Sequence, residues 1–80
     1  MRSIPLSELP LYGVCVIDHI EECPIKDRLY ALGFSEGAEL VALFCAPCGD
    51  PVAYSVRGTT VALRRSDAAK IMVRGCEKWV

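Results

Sequence analysis

One helix, and the place where it stops, sets the architecture of this chain: residues 28–37 read RLYALGFSEG. Just upstream, Pro24 suits a first helical turn, where its missing N–H is tolerated. Apolar residues then recur at i, i+4 and i+7, the spacing of one short amphipathic helix. They are Ile25, Leu29 and Leu32. Gly33 follows at the position of a left-handed cap, so the helix is predicted to end there, with Phe34 folding back on it.

Two strands with apolar side chains on both faces flank this helix. Residues 13–20 form the first, and residues 38–46 form the second, which includes Phe44. Both are rich in residues that favour strands, and both are predicted to be largely covered. Residues 47–51 contain two prolines and a glycine, so the chain must turn there.

The second half of the chain predicts a hairpin and a closing strand. Residues 52–57 and 60–64 alternate in polarity around a two-residue connection, Gly58-Thr59, which is typical of a β-hairpin. Ser66 is expected to cap a single helical turn through residue 69. Residues 71–73 are predicted to form the last short strand.

Five short strands with a single crossover helix favour one fold class. The chain is predicted to be mainly β with short helices, forming a small, partly closed SH3-like β-barrel with one amphipathic helix after the first strand. A ferredoxin-like fold would need two full crossover helices, and the pattern supplies only one.

Composition excludes several classes of protein. Eighty residues that are 52% hydrophobic make one domain, and a formal net charge of -1 lacks the basic excess that nucleic-acid binding requires. No uninterrupted apolar run approaches about 18 residues, so direct membrane insertion is not expected. The first eleven residues do not form a signal peptide because prolines and a glutamate interrupt them, and a cytoplasmic location is expected.

The cysteines provide the sharpest local motif, Cys45-Ala46-Pro47-Cys48. Its simplest interpretation is structural, with Cys45 ending a strand and Cys48 in an exposed turn. Two thiols at this spacing can also chelate a transition metal such as iron or zinc. Further ligands would have to come from single, scattered residues. Those are Cys15, His19, Cys23 and Cys76.

Catalysis is not expected from this sequence. A thioredoxin-type site needs its first cysteine at a helix N-terminus, and Gly49-Asp50-Pro51 prevents a helix after Cys48. No glycine-rich phosphate loop occurs, and the single histidine, His19, lies in an acidic segment typical of a solvated loop.

Basic residues are concentrated in the C-terminal part of the chain. A hairpin and a turn could present them together as a patch for an acidic partner, or they could simply lie on an exposed strand face. These residues are Arg57, Arg64, Arg65, Lys70 and Arg74.

Taken in order, three motifs resemble the FeoA family. They are residues 28–37, residues 46–51 (APCGDP), and Val61-Ala62-Leu63-Arg64 followed by Ala68, Ala69 and Ile71. The resemblance begins near residue 6 and ends near residue 73, and it implies one FeoA-like SH3-like domain over residues 1–80, with residues 74–80 as a tail. The family's pattern does not require Cys45 and Cys48.

The resemblance implies a cytoplasmic accessory role in ferrous iron transport, through contact with the cytoplasmic domain of a FeoB-type transporter. The hypothesis places this contact on the surface around the helix end and on the basic face. The residues concerned are Tyr30, Gly33, Phe34, Glu36, Arg57 and Arg64. The alternative is a domain that binds or senses a transition metal through Cys45 and Cys48.

Overall fold

Short strands and brief helical segments alternate along the chain. A computed structural model describes residues 3–78, and the side chains of residues 3–75. The strands are β1 (Ile4–Pro5), β2 (Gly13–Ile20), β3 (Glu39–Cys45), β4 (Val52–Val56), β5 (Thr59–Leu63) and β6 (Ile71–Lys78). The helical segments are a 3-10 turn (Leu6–Glu8), α1 (Lys26–Ala31) and α2 (Arg65–Ala68).

Within residues 3–78, the six strands form one antiparallel sheet in the order β1-β6-β2-β3-β4-β5. The mainly β architecture with one helix after the first long strand confirms the predicted fold class. The sheet is open, with β1 and β5 at its edges. The sequence does not predict β1, because this strand is only two residues long and depends on the pairing of Ile4 with Val73 in β6.

The β4–β5 hairpin turns one residue earlier than predicted. Val56 pairs with Thr59, so the connection is Arg57-Gly58 and not Gly58-Thr59. Both connecting residues have positive φ, 48° and 79°, as a type I′ turn requires. This turn matches the twist of the two strands. The predicted connection would have paired Val56 with Val61 in place of Thr59, a shift of two residues that keeps each β5 side chain on the same face.

Both helices start differently from the prediction. α1 begins at Lys26, two residues after Pro24. In α2 the N-cap is Arg64, and Ser66 lies inside the helix and makes no capping hydrogen bond. A distant carboxylate supplies the missing acceptor, because the Arg65 amide donates to Asp50 Oδ1 at 2.9 Å.

Phe44 is exposed, and its predicted burial is wrong. The β3–β4 register shifts between Ala42 and Phe44, so one extra residue is inserted into β3 at that point. After such a bulge, each residue of the strand points to the opposite side of the sheet from the side that simple alternation would give it. The buried Ala42 faces the core, whereas Phe44 is 59% exposed.

The last strand is longer than predicted. β6 continues from Ile71 to Lys78, and it follows β2 back to Gly13. Much of the predicted tail therefore pairs with the sheet. Its last two residues, Trp79 and Val80, lie outside the described residues, as does the side chain of Cys76.

One face of the sheet carries the hydrophobic core. Alternate residues of the strands point into it, and side chains from the 3-10 turn and the two helices cover it. The largest fully buried side chains are Tyr54, Phe34, Leu6, Ile17, Leu29, Leu40 and Ile71. Burial raises the pKa of Tyr54 to about 12, so this phenol stays neutral at physiological pH.

Asp18 joins three segments at one side of the sheet. Ser3 Oγ donates to its Oδ2 at 2.6 Å, His19 Nδ1 lies 3.0 Å from the same oxygen, and Arg74 Nε lies 3.4 Å from Oδ1. The Ser3 hydrogen bond, followed by His19, lowers the pKa of Asp18 below its ordinary value of 3.8. The ionised carboxylate therefore holds the N-terminal segment against β2 and β6.

We expect Asp18→Asn to lower the free energy of unfolding at neutral pH. A depressed folded-state pKa stabilises the fold above the unfolded-state pKa, and this contribution is lost as pH falls through the folded-state pKa. The difference between parent and variant should therefore shrink below about pH 4. Urea unfolding at several pH values measures it, and Glu39→Gln, at an exposed residue of β3, is the matched control. A difference independent of pH would contradict this account.

Candidate docking surface and cysteine loop

The end of α1 is closed by a complete Schellman motif. Gly33 adopts φ 106°, which a residue with a Cβ rarely tolerates. The Phe34 amide donates to the Leu29 carbonyl, and the Gly33 amide donates to the Tyr30 carbonyl, at 3.0 and 3.1 Å. Phe34 and Leu29 are both fully buried. The predicted helix stop at Gly33 is confirmed.

Beyond this cap, a short hydrogen bond links the helix to the following turn. Tyr30 Oη donates to Glu36 Oε2 at 2.6 Å. This bond lowers the pKa of the Glu36 carboxyl and raises the pKa of the Tyr30 phenol, because it favours the ionised acid and the neutral phenol. Both polar groups are held in place at the surface.

The tip of the β4–β5 hairpin reaches the same turn. Arg57 Nη2 donates to Ser35 Oγ at 3.1 Å. The Arg57 side chain also passes over Gly33, where a Cβ would lie 3.5 Å from Arg57 Cδ. Ser35 was not singled out in the sequence, because its partner is 22 residues away along the chain.

Five residues therefore form one continuous patch, which we call the helix-to-turn surface: Tyr30, Gly33, Ser35, Glu36 and Arg57. Two other residues named in the docking hypothesis are placed elsewhere. Phe34 is fully buried and supports this surface from below, so its side chain offers no contact. Arg64 follows the far end of β5, opposite the Arg57 tip.

The basic residues do not form one patch. Arg57 is at the hairpin tip, Arg74 pairs with Asp18 on β6, and Arg65 is directed toward a loop. The strand pairing carries these three residues to different parts of the sheet. Their closeness in sequence therefore does not become closeness in space.

Arg65 holds the cysteine loop, which we define as residues 45–51. Its Nε donates to the Gly49 carbonyl at 2.7 Å, and its Nη1 donates to the Ser7 carbonyl at 3.1 Å. The Gly49 amide donates to the Ala46 carbonyl at 2.7 Å, which closes a tight turn. Gly49 itself has φ 91°.

The two cysteines lie as the simplest interpretation predicts. Cys45 ends β3 and is half-buried, and Cys48 is an exposed thiol that donates to the Asp50 carbonyl at 3.1 Å. The cysteine loop contains no helix, so the turn lacks the helix N-terminus of a thioredoxin-type site. Among the side chains of residues 3–75, no group of three or more His, Cys, Asp or Glu is placed to hold a metal ion.

The proposed extra ligands are dispersed. Cys15 is buried in the core on β2, and Cys23 lies half-buried ahead of α1. His19 is 50% exposed and contacts Asp18. None of these side chains joins Cys45 and Cys48 in a cluster of three donors.

Three large apolar side chains lie exposed at the surface, and the sequence analysis did not predict their exposure. Leu11 and Tyr12 are 41% and 61% exposed, and Phe44 is 59% exposed. The Tyr12 amide donates to the Ala42 carbonyl at 2.6 Å, which brings Tyr12 beside the bulged part of β3. The bulge that turned Phe44 outward depends on strand pairing and leaves no signal in the sequence.

The open antiparallel sheet with two short helices defines a small SH3-like domain. Solved structures with this fold include the following two. An FeoA-like protein of Clostridium acetobutylicum has a TM-score of 0.86 at 29% identity, covering 92% of this chain and 87% of that one. An FeoA of Stenotrophomonas maltophilia complexed with zinc has a TM-score of 0.83 at 32% identity, covering 98% of each chain.

The sequence comparison leads to the family. The FeoA domain model matches residues 4–75, and the chain belongs to the FeoA family. An Fe(2+) transport protein A/Fe(2+) transporter FeoB fusion protein of Porphyromonas gingivalis is 41% identical over 69 residues. That match covers 85% of this chain and 8% of the fusion protein.

The family is associated with ferrous iron transport, as the name of the fusion protein states. Within residues 3–78, none of the helices has the length and apolarity needed to span a bilayer.

We expect Tyr30→Phe to return the pKa of Glu36 toward its ordinary value of 4.5. The phenol is the main cause of the lowered pKa, and phenylalanine keeps the ring while removing the donor. A carboxyl-detected NMR pH titration measures the change. Tyr12→Phe, at an exposed tyrosine outside the helix-to-turn surface, is the control. An unchanged Glu36 titration in Tyr30→Phe would show that the hydrogen bond does not set the pKa.

Proposed function

We propose that this chain is a non-enzymatic, cytoplasmic accessory protein of ferrous iron transport that docks on the cytoplasmic domain of a FeoB-type transporter. Family membership supports the transport role. The fusion protein supports the partner, since it carries an Fe(2+) transport protein A and a FeoB transporter in one polypeptide.

The observation that carries this proposal is the preorganised helix-to-turn surface. Tyr30, Glu36, Ser35 and Arg57 are already paired in two hydrogen bonds, over a rigid base that includes the buried Phe34. Binding loses affinity when flexible side chains must be ordered, and groups already held in place reduce that cost. This surface also combines an aromatic side chain with an arginine, two residue types enriched in binding hot spots.

We expect Glu36→Lys to weaken binding to the transporter's cytoplasmic domain by about tenfold, because it reverses a charge at the centre of the surface. Isothermal titration calorimetry measures the affinity, and ¹⁵N amide shifts of the full chain locate the contact. The matched control is Glu21→Lys, at an exposed residue outside the surface. Absence of binding by the parent chain would refute the docking proposal, and equal affinities for both variants would refute the role of Glu36.

A second candidate function is transition-metal binding by Cys45 and Cys48. Two observations favour it: Arg65 holds the tight turn of residues 46–49, which contains Cys48 and directly follows Cys45, and the Stenotrophomonas maltophilia relative is complexed with zinc. Thiolates suit zinc, but a structural zinc ion takes four ligands. The described side chains supply only this pair. We infer that the loop would be half of a site, completed by water or by a partner's ligands.

We expect the reduced protein to bind Zn²⁺ at a stoichiometry of one ion per one or two chains, and both Cys45→Ser and Cys48→Ser to lose this binding. Each variant removes half of the thiol pair. An anaerobic titration with a competing chromophoric chelator measures the stoichiometry. Cys23→Ser, at a half-buried cysteine outside the loop, is the control. Stoichiometry near zero in the parent chain, or unchanged in both loop variants, would refute this function.

A further inference from the structure

Strand β5 leaves one edge of the sheet uncovered. It is the last strand in the sheet order, and within residues 3–78 β4 is the only strand paired with it. Thr59, Thr60 and Ala62 are exposed. An exposed strand edge presents unpaired backbone N–H and C=O groups, which are a template for another strand.

The hairpin geometry identifies which groups are unpaired. A two-residue connection places its flanking residues, Val56 and Thr59, in a hydrogen-bonded pair. Pairs along an antiparallel ladder alternate between hydrogen-bonded and non-hydrogen-bonded. The backbone groups of Val61 and Leu63 therefore face β4, whereas those of Thr60 and Ala62 face the open edge.

This edge lacks the usual protections against strand pairing. Proteins blunt exposed edges with prolines, charged residues, bulges or very short strands. β5 reads TTVAL, without a charge or a proline, and its pairing with β4 has no register shift. The opposite edge, β1, is protected by its two-residue length and by Pro5.

Arginines flank the uncharged strand and select against a second copy of this chain. Arg57 precedes β5 and Arg64 follows it. Antiparallel pairing of two copies around Val61 would set Gly58 of one copy opposite Arg64 of the other, which brings Arg57 of one copy close to Arg64 of the other at both ends. Like charges placed opposite each other destabilise a strand pair. An incoming strand with acidic residues at its ends would instead be attracted by Arg57 and Arg64.

The turn itself supports a role for Arg57. Its φ of 48° is a conformation in which asparagine or glycine is favoured and arginine is uncommon. A residue held in such a conformation points to a function that offsets the strain.

We infer that the free edge of β5 is a β-augmentation site for an extended segment of a partner protein, with about five uncharged residues between acidic ends. This inference rests on the proposed function, because the transporter's cytoplasmic domain would supply the segment. Backbone bonds to Thr60 and Ala62 give the affinity, and Arg57 and Arg64 select the acidic ends.

The first test uses a synthetic probe with the ¹⁵N-labelled full chain. The probe is acetyl-Asp-Asp-Thr-Val-Thr-Val-Thr-Asp-Asp-amide, and the control peptide replaces every Asp with Lys. We expect the acidic peptide to shift the Thr60 and Ala62 amides and to slow their hydrogen exchange. We expect the basic peptide to bind at least about tenfold more weakly.

Variants separate the backbone contribution from the charges. Ala62→Pro removes an outward N–H without removing a β4–β5 hydrogen bond, and it should weaken peptide binding by about tenfold or more. Ala62→Thr keeps the N–H and should bind as the parent does. Arg64→Glu leaves the backbone intact and should reduce binding about fivefold, which keeps the inference testable if the proline variant fails to fold.

The same variants are then titrated with the transporter's cytoplasmic domain. Binding that Ala62→Pro abolishes supports both proposals. Binding with unshifted β5 amides and equal affinity for Ala62→Pro overturns the edge inference and leaves the docking proposal standing. If the transporter domain does not bind, docking is overturned, and the peptide result alone then supports or overturns the edge site. Concentration-dependent dimerisation through β5 at low ionic strength, where the arginines repel each other most strongly, would also overturn the acidic-strand assignment.

Discussion

The positive φ of Gly33 is the constraint on which the rest of this small structure depends. It ends α1 after six residues and turns the chain so that Phe34 enters the core beside Leu29. The same reversal sets Ser35 and Glu36 at the surface, within reach of the hairpin tip and of the helix. Core packing and the candidate docking surface therefore share one backbone conformation, and a Cβ at this glycine would strain both.

The β4–β5 hairpin connects the two candidate sites of the domain, the helix-to-turn surface and the cysteine loop. Its tip carries Arg57 to the helix-to-turn surface, and its other end leads into α2, where Arg65 fixes the cysteine loop. The two regions therefore lie at opposite ends of one rigid ladder. The free edge of β5 runs between them, which would let one extended partner contact the hairpin tip and the start of α2 together.

Sequence reasoning succeeded where structure is determined locally. The helix stop at Gly33, the presence of the β4–β5 hairpin and the turn at the cysteine loop each follow from neighbouring residues, although the hairpin connection lies one residue earlier than predicted. It failed where distant strands decide the outcome, as in the pairing of β1 and the bulge that exposes Phe44. The capping of α2 by Asp50 is also long-range. For the site, the hypothesis named Tyr30 and Glu36, which the structure joins, and grouped Arg57 with residues that the fold separates.

The arginines beside β5 act on any incoming strand through charge that mobile ions can weaken. Added salt screens exposed charges over distances of about 10 Å at 0.1 M. Salt would weaken the attraction between these arginines and an acidic segment. It would also weaken the repulsion between the arginines of two copies. Rising ionic strength would therefore favour pairing with a second copy over pairing with an acidic segment, so an edge proposed to recruit a partner at low salt would promote self-association at high salt.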